Sequence, residues 1–137
     1  MRAFAWRRFA ALLCVVALVT GCALIRPGDD PIVVRTQDVI SNSFDAWDSA
    51  MDVHAAASAS ESPAVYKAME QLRTKFPASH RAVRDALKAY QAAKTKDPGA
   101  LRLAVNGFLA DVAALAPPGS KFAQTIGLIR AAFNGGA

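Results

Sequence analysis

The chain has 137 residues, of which 53% are hydrophobic and 20% charged, with a formal net charge of +5. That length suits one domain with a core of its own. The charge is misleading as a sign of nucleic-acid binding: Arg2, Arg7 and Arg8 crowd the first eight residues, and from residue 22 onward thirteen basic residues face eleven acidic ones, a net +2, too little to support that reading.

The chain opens with three arginines and no acidic residue, followed by an uninterrupted apolar run from Phe9 to Val19 and then Thr20-Gly21-Cys22. A basic segment, a short apolar segment and a small residue before a cleavage point make up a secretory signal. Eleven helical residues rise only about 17 Å, short of a hydrocarbon core of about 30 Å. Extended to Ile25, the run reaches the lower limit of a membrane span, so an uncleaved anchor is the alternative.

Val19-Thr20-Gly21-Cys22 resembles the lipobox of bacterial lipoproteins, where a branched apolar residue, a small residue and Gly or Ala precede an obligatory cysteine. The resemblance implies cleavage between Gly21 and Cys22, with diacylglycerol and palmitate-type acylation of Cys22. Ala23 stands where that family's inner-membrane retention signal would place Asp, which implies the outer membrane, facing the periplasm. Cys14 would leave with the leader and Cys22 would be acylated. No thiol is then left for a disulfide, a nucleophile or a metal.

The expected organisation is a signal peptide over 1–21, a lipid-anchored tether over 22–34 and a helical domain over 35–137. The tether contains Pro27, Gly28, Asp29, Asp30 and Pro31, a turn-rich composition. A first helix is expected over Thr36–Ala59, its inner face marked by Val33, Ile40, Phe44, Trp47, Met51 and His54 at 3–4 spacing. Ser62-Pro63 gives an N-cap with proline at the first helical position, opening a stripe of Val65, Met69, Leu72 and Phe76. Pro77 should break or kink that helix before the stripe resumes at Val83, Leu87 and Tyr90. Asp97-Pro98 repeats the cap-plus-proline start, with Leu101, Val105, Phe108, Val112 and Leu115 behind it. Ser120 caps a last helix carrying Phe122, Ile126, Ile129 and Phe133. The fold class is all-α: an antiparallel bundle of about four helices, the second kinked or split at Pro77, joined by short loops.

Charge is unevenly spread. Seven acidic residues and one basic lie between Asp29 and Glu61, whereas eight basic and two acidic lie between Lys67 and Lys96. Two readings stay open. The oppositely charged helices complement each other side by side, or Arg73, Lys75, Arg81, Arg84 and Lys88 contact an anionic surface, either lipid, cell-wall polymer or an acidic envelope protein. Asp45, Asp48 and Asp52 share one helical side and read as a solvated face. His54 reads as a half-buried packing residue, and Gly107 and Gly127 as points of close helix approach.

Catalytic and metal chemistry have little to work with. There are two histidines on different helices, no spaced ligand cluster, no nucleophile elbow and no phosphate loop. The expectation is a non-enzymatic envelope protein without cofactor or metal, a membrane-anchored interaction or structural bundle that does not meet nucleic acid. The alternative is a periplasmic carrier or sensor of an apolar ligand, held among Trp47, Phe108 and Phe122.

Overall fold

The structure is a computed structural model and describes residues 28–135. The leader, Gly21 and Cys22 and most of the tether lie outside them. Four helices follow one another: α1 (Pro31–Ala57), α2 (Pro63–Ala92), α3 (Pro98–Leu115) and α4 (Lys121–Gly135), with a 3-10 turn over Ser58–Ser60. No strand occurs among the described residues. The chain is an all-α bundle, as its periodicity predicts.

Each helix start has a local cause. Three helices place proline in the first turn behind a capping side chain, where its missing N–H costs nothing. Asp30 Oδ1 accepts from the Ile32 N–H at 3.2 Å. Ser62 Oγ accepts from Val65 at 3.3 Å, and Asp97 Oδ1 accepts from Gly99 and Ala100. Ser120 Oγ accepts from Ala123 at 3.1 Å. In the turn before α4, Gly119 adopts a φ of 72°, a conformation that suits glycine because it has no Cβ.

Two expectations about boundaries change. The first helix begins at Pro31, five residues before Thr36, so residues 31–34, expected in the tether, belong to the bundle. Its α-helical part stops at Ala57, and the last expected turn tightens into the 3-10 segment. Pro77, in turn, sits inside one continuous thirty-residue helix. An interior proline costs roughly 3 kcal/mol. Leu72 and Phe76 before it and Val83 and Leu87 after it are buried, each contributing roughly 1.5–3 kcal/mol. Pro77 itself is exposed, so burial of the neighbouring face carries the helix through it.

The helices close a ring. Each packs on the next, α4 returns against α1, and the α1–α3 diagonal is the lesser contact. Contacts at three levels set the antiparallel register of α1 and α2. Asp30 meets Tyr90, Ile40 meets His80 and His54 meets Glu70. Asn106 and Asn134 exchange amide hydrogen bonds of 3.2 and 2.9 Å between α3 and α4. Leu72, Val105, Leu109, Val112 and Ile126 form the fully buried centre.

On α1 the deepest line is Ile32, Thr36, Val39 and Ser43, rotated from the expected one; Val33, Ile40, Trp47 and Met51 pack at its flank. Phe44, expected inside, is 44% exposed. The buried hydroxyls bond within their own helix, Thr36 to the Ile32 carbonyl at 2.7 Å and Ser43 to the Ile40 carbonyl at 3.2 Å, so they enter the core without an orphaned polar group. Nor do Gly107 and Gly127 mark close approaches, since a Cβ at either would meet nothing within 4 Å.

Candidate functional site

The five basic residues singled out on α2 do not form one group. At 3.6 residues per turn, Arg73, Arg84 and Lys88 fall along one side with Arg81 beside them, whereas Lys75 lies nine residues from Arg84, about two and a half turns, on the opposite side. Arg73 is also committed. Its guanidinium forks onto Glu70, with bonds of 3.1 and 2.6 Å to the two carboxylate oxygens.

Arg84 and Lys88 rim a groove of about 280 Å³ between α1 and α2. Its floor is Ile40 and Leu87, and Gln37, Ser41 and Gln91 supply neutral polar walls. No carboxylate lines it. Arg84 makes no ion pair among the described residues, and Lys88 has only Asp85 at 3.9 Å, with both side chains well exposed. Such a pair is worth little.

The complementary-helix reading finds little support here. Asp45, Asp48 and Asp52 are exposed, and no ion pair among the described residues joins them to Arg81, Arg84 or Lys88. Both ends of the α1–α2 pair mix charges: Asp30, Asp38 and Asp85 lie in the half with the groove, and Lys67, Arg73 and Lys75 lie in the half with Asp48, Asp52, Glu61 and Glu70.

Above the groove runs a row of rings. His80 donates from Nε2 to the Ile40 carbonyl at 3.0 Å and stacks on Phe76 with ring centres 5.4 Å apart. Phe44 leans on His80 at 5.6 Å, and Trp47 stacks on Phe76 at 5.0 Å with planes 5° apart. Phe108 meets both Phe76 and His80. Of the residues expected to hold an apolar ligand, Trp47 stacks on Phe76, Phe108 borders a groove between α2 and α3, and Phe122 is buried in the core.

At the far end His54 is more than a packing residue. It is 6% exposed, with Nδ1 2.7 Å from Glu61 Oε2 and Nε2 3.2 Å from Glu70 Oε1. Ionised carboxylates only accept, so both bonds form together when the ring carries both protons. The Tyr66 ring lies 5.3 Å away. The Arg73 fork, and after it the His54 bond, hold the Glu70 carboxyl below its ordinary range. The cluster joins the end of α1, the 3-10 turn and the start of α2. Sequence spacing gave no sign of it, because Glu61 and Glu70 reach His54 only through the turn.

In the groove between α1 and α4, beside Arg35 and Asn42, burial raises the Asp38 carboxyl above its usual range. Among the described residues no three His, Cys, Asp or Glu side chains gather as a metal site. No described helix is long and apolar enough to cross a membrane.

No family model matches the chain, and neither the curated proteins nor the solved structures contain a match to it.

Proposed function

We propose that this is a lipid-anchored protein of the bacterial cell envelope, a non-enzymatic bundle that presents a surface to another envelope component. The observation that carries the reading is Val19-Thr20-Gly21-Cys22 at the end of an apolar run behind three arginines. One acyl chain binds a membrane only marginally, whereas two or more make the attachment durable. Ala23 favours the outer membrane, with the domain in the periplasm.

The start of α1 at Pro31 supports a short leash. Eight residues separate Cys22 from Asp30, at most about 27 Å when fully extended, so the bundle would stay close to the headgroups. Its surface rather than an enclosed cavity is then what it offers, and Arg84, with the loosely paired Lys88 a turn away, is the part best placed for contact.

Intact mass after detergent extraction tests the anchor. The expected species lacks residues 1–21 and carries acyl mass on Cys22, and Cys22→Ser should carry no acyl mass and keep residues 1–21. An unmodified full-length wild-type chain overturns the reading. Proximity cross-linking in intact envelopes tests the surface role, which recovery of uncross-linked protein alone would contradict.

A further inference from the structure

We propose that the α1–α2 groove seats the phosphate headgroup of an anionic membrane lipid, held by Arg84 and Lys88, with Phe44 entering the interface beside it. The inference rests on the lipid-anchored reading and names the partner of that surface.

Charge comes first. The groove has two cations at its rim and no carboxylate in its lining. The exposed carboxyl of Asp85, 3.9 Å from Lys88, lies outside the lining and offsets part of that charge, while Arg84 has no ion pair among the described residues. A guanidinium presents a fork suited to phosphate oxygens, and an ammonium adds a point charge. Gln37, Ser41 and Gln91 can donate to the remaining oxygens, while Ile40 and Leu87 below them suit the first methylenes of a glycerolipid better than a free ion.

Position comes second. Gln37 and Ser41 lie six and ten residues beyond Pro31, about 9–15 Å along the axis. The extended reach from Cys22 exceeds that rise, so the tethered bundle can lie with this side against the bilayer. Phe44 stands one turn beyond Ser41, 44% exposed, on the flank facing α2, where it touches His80. An aromatic ring beside cations is the composition that settles at headgroup level. Asp45, Asp48 and Asp52 continue the Gln37–Ser41 side of α1 one to three turns beyond the groove and are exposed, so it is the tethered end of this side, tilted onto the bilayer, that brings cations rather than carboxylates to the headgroups. An acidic protein segment would need none of this proximity to the anchor.

Trp47 reports on the face directly. It lies 5.7 Å from Phe44 and is the one tryptophan besides Trp6. The full chain carrying Trp6→Phe is reconstituted into phosphatidylcholine vesicles, with or without one-third phosphatidylglycerol, their acyl chains brominated to quench nearby indole. Trp47 emission should fall about twofold with phosphatidylglycerol and recover at high salt, since each surface cation shifts the face-down population about fivefold. Arg84→Gln with Lys88→Gln should abolish the difference, and Lys75→Gln, on the opposite side of α2, should preserve it. Equal quenching in both vesicle types, or a response that survives the double substitution, overturns the proposal. Intact mass of the same sample separates the two readings. Acylated protein blind to phosphatidylglycerol sinks the headgroup seat alone, and a phosphatidylglycerol response from unacylated protein sinks the anchor alone.

Discussion

The hydroxyl of Tyr90 donates to Asp30 Oδ2 at 2.9 Å across sixty residues of sequence, while Asp30 Oδ1 caps the first turn of α1. Lys96 lies over the Tyr90 ring and 3.9 Å from the same carboxylate. One side chain thus starts α1 and fastens it to the end of α2. Asp30→Ala should lower stability by about 1 kcal/mol through the cap alone, and more through the lost link to Tyr90. In a urea-unfolding cycle with Tyr90→Phe, the two losses should be less than additive. Strict additivity would mean that the residues act separately.

Burial first, and then the bond to Asp30, raise the Tyr90 phenol above its ordinary value. The chain's other tyrosine is Tyr66. Spectrophotometric titration should resolve a late-ionising component that Tyr90→Phe removes. A raised folded-state value means that the associated stability is complete below the free phenol's pKa of about 10 and is lost as pH rises through the folded value. A single ordinary component would refute the burial.

The Glu70 carboxyl is held low by Arg73 and His54, so its contribution has the opposite sign. That stability is fully present above the ordinary carboxyl range and is lost as pH falls through the depressed folded value. The advantage of the native chain over Glu70→Gln in urea midpoint should be constant from neutral pH to about 5 and narrow below about 4. A gap unchanged at pH 3 would contradict the arrangement. His54→Ala, which removes a buried ring bonded to Glu61 and Glu70, should cost about 2 kcal/mol.

Pro77 gives a prediction of stabilisation. It is exposed inside a continuous helix and leaves the Arg73 carbonyl without its intrahelical donor. Pro77→Ala restores that bond without touching the core and should raise stability by about 1–3 kcal/mol. Denaturant midpoints and helical ellipticity would both rise; an unchanged midpoint would show that the helix accommodates the ring at no cost.

Phe76 is 1% exposed and stacks against Trp47 and His80. Phe76→Ala should cost about 3–5 kcal/mol and shift Trp47 emission to the red. Leu103→Ala, at a side chain 76% exposed, should stay within about 0.5 kcal/mol of the native chain.

Most helix limits were readable because local chemistry sets them. Ser62-Pro63, Asp97-Pro98 and Ser120 each mark a start that the structure keeps. Asp30-Pro31 has the same form but follows Arg26-Pro27-Gly28-Asp29, a cluster that reads as turn, and whether such a pair opens a helix depends on what packs behind it. The line of burial on α1 was misplaced for a related reason. Apolar spacing selected Val33, Ile40 and Phe44, whereas Thr36 and Ser43 go inside because their hydroxyls bond to carbonyls of their own turn. The His54 cluster needs partners brought together by tertiary folding, and no period in the sequence encodes it. Helical spacing alone separates Lys75 from Arg73, Arg84 and Lys88; that Glu70 occupies Arg73 and that Arg84 and Lys88 border a groove with α1 depends on side-chain placement that the spacing does not give.

The closing of α4 on α1 sets Phe133 beside Arg35 and Val39. The first and last described turns are therefore neighbours, and the bundle is nearly an endless cycle of helices. The turn at Pro117–Ser120 lies at the opposite end and closes only a short α3–α4 hairpin. Joining residue 135 to residue 30 by a short linker and opening the chain at that turn would give a circular permutant with the same four helices in each layer, its new termini at the end of the bundle that holds the His54 cluster.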